Sequence, residues 1–258
     1  MKTVINPVYA QLEAELLNVV AGNYTPEVVY CNKRNKVEKI SIDGKDFVIK
    51  TFKIPHIINR VIYRFFRMSK ACRAYEYALR LLESGVETPC PVAYFEKYRK
   101  GLFKQGVFIS EYVPYKLLEN LYEDVDSFDE RESILSDFID YLHYLHEKGI
   151  VPMDMNAGNI FYYKNESAGK YNFAITDINR IEFRTETSFD DVVRTLEQCF
   201  YPMDKMYSLV MLYSKKTGNE AVAFEIFHKV LTLRVKRRKK CAVRYKMRRK
   251  FLSGKKQR

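Results

Sequence analysis

The sequence predicts an α+β chain with a sheet-rich front part and a mainly helical rear part. Three observations lead there. Short runs rich in β-branched and aromatic residues, split by turn signals, occupy residues 28–50 and 92–112. From residue 128 onward apolar residues recur mostly at helical spacing, interrupted by one hairpin pattern. With 47% hydrophobic residues, 20 Tyr and 17 Phe, 258 residues suffice for one large domain or two small lobes around a packed interior.

The elements follow in order. Residues 8–20 read as a short amphipathic helix. Strands are expected at 28–30, 37–42 and 47–49, with Asp43-Gly44 as a tight turn between the last two. Helical periodicity covers 57–84, and Gly85 stands where a C-terminal glycine cap belongs. Residues 86–91 form a loop, because Pro89 and Pro91 each disfavour helix at the preceding residue. Residues 92–95 and 107–112 are strand candidates, and 97–105 reads as a polar connection between them. Ser127 and Glu130 make a capping box ahead of Ile134, Phe138, Leu142 and Leu145, a run that Gly149 ends. Two strands at 160–163 and 173–176 make the hairpin. Residues 188–213 and 219–233 are helical.

Charge separates the chain into parts. Residues 234–258 hold 14 Lys or Arg and no Asp or Glu, leaving 30 basic and 32 acidic side chains in the other 233 residues. A near-neutral body thus carries a basic tail suited to anions. Val235, Val243, Tyr245, Met247, Phe251 and Leu252 lie among those charges, a mixture suited to an anionic membrane surface more than to nucleic acid. No apolar run is long enough to span a bilayer, and no leader pattern opens the chain, so a cytoplasmic protein, peripheral at the membrane, is expected. Five scattered cysteines with no Cys/His spacing argue against a disulfide framework or a zinc site. His143 and His146 sit three apart on a helix with no third ligand nearby.

The chemistry concentrates in Asp154-Met155-Asn156-Ala157-Gly158-Asn159, the hairpin, and Asp177. Asn159 precedes the first strand and Asp177 follows the second, which brings them close in an antiparallel pair. Asp154 lies on the loop leading in. Two carboxylates and an amide without His or Cys suit Mg²⁺. Lys50 ends a Phe-Val-Ile-Lys strand of the kind that presents a lysine to phosphates. Glu76 follows on the long helix. Each has a plainer reading. Lys50 could be a solvated edge lysine, Glu76 half of a surface pair with Arg73 or Arg80, and Asp154 and Asn159 ordinary turn residues. Arg60, Arg64, Arg67, Lys70 and Arg73 recur at helical spacing, either as a solvated face or as a receiver of an anionic acceptor.

The order Lys50, Glu76, Asp154, Asn159, Asp177 resembles the protein-kinase-like superfamily. Within it the chain resembles the bacterial lipopolysaccharide kinases of the Kdo/WaaP (InaA-like) family. The resemblance runs over roughly residues 25–200, through Glu87-Thr88-Pro89-Cys90-Pro91, Leu142 to Ile150, Asp154 to Asn159 and Ile175 to Arg180. It implies a two-lobed kinase-like fold: residues 1–111 as sheet-rich N-lobe, 112–233 as helical C-lobe with the catalytic hairpin, and 234–258 as basic tail. It implies ATP and Mg²⁺, with Lys50 on the phosphates and paired to Glu76. Asp154 would be the catalytic base or orienting group, Asn159 and Asp177 the metal ligands, and Glu111-Tyr112-Val113 the hinge against adenine. The reaction would be phosphoryl transfer to an alcohol, a sugar hydroxyl of the lipopolysaccharide inner core (Kdo or heptose) or another small or lipid-linked acceptor. Other small-molecule kinases of this fold, an RNA-associated kinase and a pseudokinase binding module are the competing readings. The chain departs from the general kinase pattern in Pro152-Met153 before Asp154, in Asp177-Ile178-Asn179, and in a glycine-free turn at 32–36. About a dozen residues separate Asp177 from the next helix, too few for a regulated activation segment or a protein-substrate platform.

Overall fold

The computed structural model describes residues 1–32, 35–199 and 203–253. Lys33 and Arg34 of the glycine-free turn, and residues 254–258 of the tail, lie outside the described residues, as do the side chains of Met247, Phe251 and Leu252. The chain forms two compact units. The first comprises Met1–Leu117, Asn159–Tyr163 and Phe173–Ile181; the second comprises Leu118–Gly158, Lys164–Asn172 and Glu182–Arg258.

The first unit is built on a six-stranded sheet. Its elements are β1 (Lys2–Ile5), α1 (Glu13–Ala21), β2 (Val28–Asn32), β3 (Lys36–Ile42), β4 (Lys45–Thr51), α2 (Ile57–Phe65), α3 (Lys70–Glu83), β5 (Pro91–Arg99), β6 (Leu102–Glu111) and β7 (Lys116–Leu117). The sheet order is β1-β5-β6-β4-β3-β2, with antiparallel pairing in each ladder. Alternation along β4 decides which side chain serves which face. Phe47 and Ile49 point into a core with Leu12, Leu16 and Val20 from the N-terminal segment and with Phe95 and Ile109. Each fully buried side chain of this kind stabilises the fold by roughly 1.5–3 kcal/mol. Lys50 therefore belongs to the opposite face. Its register partner on β6 is Phe108, which packs with Phe52, Ala71, Tyr75 and Tyr94 in the core beneath α3.

Three sequence expectations change here. The periodicity over 57–84 predicts one helix, but the structure divides it into α2 and α3. The Ser69 hydroxyl accepts a hydrogen bond from the Cys72 amide at 3.1 Å, so a new helix starts there with one of its orphan donors satisfied. The polar stretch 97–105 is part of the β5–β6 hairpin. Lys100 and Gly101 both take positive φ at the tip, a two-residue turn matched to strand twist. Finally, Lys2–Ile5 forms an edge strand beside β5, too short to show periodicity.

The second unit is mainly helical. It contains α4 (Leu121–Asp124), α5 (Phe128–Glu147), β8 (Ile150–Pro152), the tip of a hairpin made by β9 (Ile160–Asn165) and β10 (Lys170–Ile175), part of β11 (Ile181–Phe183), α6 (Phe189–Cys199), α7 (Met203–Lys216) and α8 (Ala223–Ser253). Ser127 caps α5 through the Glu130 amide, as the capping box predicts. α5 buries Ile134, Phe138, Ile139, Leu142 and Leu145 on one side. Gly149 ends this run with φ +65, and a Cβ there would lie 2.0 Å from the Arg184 carbonyl oxygen, so no other residue fits. Among the described residues no helix is long and apolar enough to cross a membrane.

The basic tail does not begin as a separate segment. α8 runs without a break through residue 234, and Arg234 is buried, with a guanidinium N–H directed at the Met206 sulfur at 3.2 Å. One turn on, Arg237 pairs at 3.0 Å with Glu197, which is only 1% exposed. Burial raises the Glu197 carboxyl above its ordinary range, while Arg237 and Arg234 pull the other way. The first turn of the tail thus carries structural cations, because a buried carboxylate left unpaired is costly.

His146 gives the fold a pH signature. The ring is buried, and Nδ1 lies 2.8 Å from the Tyr213 hydroxyl. Burial, helped by the charge of His143, pushes its pKa down to about 4. Below pH 6.5 the unfolded chain binds a proton that the folded chain refuses. Stability is therefore full above about pH 6.5 and falls as pH drops towards 4, by up to about 3 kcal/mol. Urea unfolding from pH 7 to pH 4 checks this. His146→Gln should remove that part of the slope, and an unchanged slope would assign it elsewhere.

Candidate functional site

The site in the first unit starts from the mouth of the β9–β10 hairpin. Thr176 donates its amide to the Asn159 carbonyl at 2.9 Å, which closes the mouth and sets Asn159 beside the segment that carries Asp177. The loop after α3 fixes the outgoing strand. The Ile175 amide donates to the Glu87 carbonyl at 3.0 Å, and the Thr88 hydroxyl donates to the Ile175 carbonyl at 2.7 Å. Tyr163, from β9, donates its hydroxyl to the Glu87 carboxylate at 2.8 Å and stacks on Tyr115 at 4.2 Å. Asp177 is thus delivered by a strand whose last residue is clamped on both backbone groups.

Asp177 itself is strained. Among the described residues only three other than glycine have positive φ: Asp43 and Lys100 in hairpin turns, and Asp177 at φ +53. Asp tolerates the left-handed region better than most residues, and here its neighbours hold it there outside a hairpin turn. The conformation is matched by two donors on one oxygen. Lys50 Nζ lies 2.7 Å from Asp177 Oδ1, and the Asn179 side chain donates through Nδ2 to the same atom. Lys50 and Asp177 are both largely screened from solvent, so the pair is less diluted by water than a surface ion pair.

The other expected residues fall into different places. Glu76 lies on the exposed side of α3, and no ion pair joins it to Lys50. The expected Lys50–Glu76 partnership is replaced by Lys50–Asp177: α3 turns Tyr75 and Ala78 into the sheet and leaves Glu76 outside that stripe. At the expected hinge, the Glu111 amide donates to the Cys90 carbonyl at 2.9 Å and the Tyr112 amide to the Asp46 carbonyl at 3.0 Å. The Tyr9 hydroxyl donates to Cys90 Sγ at 3.6 Å, and its pKa is raised by burial first and then by Glu111 and Cys90. Val113 makes no backbone hydrogen bond among the described residues.

Asp154 belongs to the second unit, on an exposed loop. That loop is well held. The Asn156 amide donates to the Asp154 carbonyl at 3.0 Å, the Gly158 amide to Asn156 Oδ1 at 3.1 Å, and the buried Met155 amide to Gln198 Oε1 on α6 at 2.9 Å. A Cβ on Gly158 would sit 2.6 Å from the Glu119 carboxylate, so glycine lets the loop pass close to that side chain. Gln198 carries no motif that singles it out, whereas Asn179 stands in the Asp177-Ile178-Asn179 departure from the kinase pattern.

Among the described residues no three His, Cys, Asp or Glu side chains converge as a preformed metal cage. Asn159 and Asp177 offer two oxygen-bearing side chains at one hairpin mouth. That set fits a hard ion which completes its shell with water and phosphate oxygens, as Mg²⁺ does.

No protein-family model matches the chain, and no curated protein matches it in sequence. Among solved structures, WaaP in complex with acyl carrier protein is similar, with a TM-score of 0.55 and 14% identity, over 89% of this chain and 99% of that one. The chain therefore has a protein-kinase-like α+β fold, sheet-rich towards its N-terminus and helical towards its C-terminus, of the kind found in WaaP.

Proposed function

We propose that the protein is an ATP-dependent phosphotransferase acting on an alcohol group of a small or lipid-linked acceptor, with a sugar hydroxyl of the lipopolysaccharide inner core as the acceptor to test first. The observation that carries this reading is the Lys50–Asp177 pair at 2.7 Å beside the Asn159–Thr176 closure. A cation for phosphates and a carboxylate for a metal stand in contact, on a kinase-like fold. The Val113 amide would receive the adenine edge. Lys50 would leave Asp177 for the α- and β-phosphates, freeing the carboxylate. Asn159 and Asp177 would then hold Mg²⁺, which when bound neutralises the phosphate charge. Asp154 would accept a hydrogen bond from the acceptor hydroxyl and orient it. The deciding measurement is thermal unfolding with and without Mg-ATP. A nucleotide at 100 times its Kd adds about 2.7 kcal/mol, a rise of several degrees. No shift at millimolar Mg-ATP would turn the reading to a pseudokinase binding module.

The basic tail fits the same reading as a contact with an anionic membrane surface, where a lipid-linked acceptor resides. Arg238, Lys239 and Lys240 are exposed on α8 beyond the two structural arginines. Ending the chain after Arg237 keeps Arg234 and Arg237 in place. Sedimentation with anionic vesicles should fall severalfold in that shortened protein; equal binding by the two would remove the tail from the membrane contact.

A further inference from the structure

The segment from Phe47 to Tyr75 contains seven Lys or Arg and no Asp or Glu. α2 lies in its middle and buries none of its residues. One side of α2 is fastened to the β5–β6 hairpin. Arg60 Nε donates to the Phe103 carbonyl at 2.7 Å, Tyr63 meets the Phe103 ring edge at 5.5 Å, and the Arg64 guanidinium lies 5.1 Å from the Tyr98 ring centre. Ile57, Ile58, Val61 and Phe65 are exposed and spaced to share one stripe, whose Ile58 and Phe65 edge turns away from these three anchors. Ile58 is 70% exposed, Phe65 65% and the adjoining Phe66 82%. Ordinary surface helices are turned the other way, apolar stripe inward.

We propose that α2 docks the protein on an anionic lipid bilayer, its apolar stripe entering the boundary between headgroups and acyl chains while Lys53 and Arg67 meet lipid phosphates. The occupant follows from the arrangement of the surface. A short helix standing on a sheet is a convex ridge, and cations flank its apolar crest with no carboxylate among them. A bilayer offers a soft plane in which a negative layer overlies an apolar one, so both parts of the ridge are matched at once. The inference stands apart from the phosphotransferase reading, because vesicle binding is its readout and no turnover is needed.

The chain has no Trp, so Phe65→Trp places a single reporter on the crest. In the full-length protein its emission should shift to the blue with vesicles of phosphatidylcholine containing about one-third phosphatidylglycerol, and much less with phosphatidylcholine alone. Ile58→Glu combined with Phe65→Glu should weaken sedimentation with the anionic vesicles about tenfold or more, with the thermal midpoint unchanged because both side chains are outside the core. Raised salt should weaken binding of the parent protein. An unshifted reporter would overturn the proposal, as would a double variant that binds like the parent. Capture of a soluble acidic protein through α2 by a parent that ignores vesicles would overturn it in favour of a protein partner.

Discussion

Asp177→Asn should abolish the thermal shift that Mg-ATP gives the parent protein and reduce transfer by more than the 10–100-fold typical of losing an outer-shell partner of a metal. The substitution separates charge from shape. Asn adopts the left-handed backbone at position 177 about as readily as Asp, so φ +53 imposes no new strain. The amide oxygen can still accept from Lys50 or Asn179. What disappears is the negative charge that pairs with Lys50 at 2.7 Å in the free protein and would hold the metal in the complex. The midpoint without ligand should therefore move by only a few degrees, since a single partly screened pair contributes about 1 kcal/mol or less. A Mg-ATP shift of full size in the variant would show that Asp177 is not the metal residue.

The complementary expectation concerns Asp154. Asp154→Asn should leave the Mg-ATP shift intact and lower turnover by roughly 10²–10⁴, the range contributed by a positioned proton acceptor. The loop should survive the change. Its main anchors are backbone groups: the Asn156 amide on the Asp154 carbonyl, and the Met155 amide on Gln198. Single-turnover transfer to a lipopolysaccharide core preparation, read beside ATP binding, makes the comparison. Loss of both together would indicate a collapsed loop; retained turnover would remove Asp154 from the chemistry.

Local chemistry carried much of this protein in legible form. The Ser127 cap and the apolar spacing behind it located α5 to the residue, because a cap and a periodic stripe act over a few neighbours. The Phe-Val-Ile-Lys run likewise placed Lys50 near the end of β4 (Lys45–Thr51). Asn159 and Asp177 could be brought together in advance because a hairpin joins positions close in the chain. A helix's rotation about its axis is harder to read from spacing. The kinase-like order of residues pointed to Glu76 as a partner for Lys50, whereas burial of Tyr75, Ala78 and Leu81 leaves Glu76 exposed on α3. The break at Ser69 likewise came from a side-chain cap winning over continued periodicity.

By itself the sequence determined the α+β class, the order of the main elements, the hairpin that joins Asn159 to Asp177, and the division between a neutral body and a basic end. These depend on spacing, turn chemistry and charge count, which act over short stretches of chain. Only the tertiary structure decided that Lys50 pairs with Asp177, that Arg234 and Arg237 belong to the packed body, and that the apolar stripe of α2 faces outward. Each of those depends on which surfaces far apart in the chain exclude water together, and that competition is settled only when the whole unit packs.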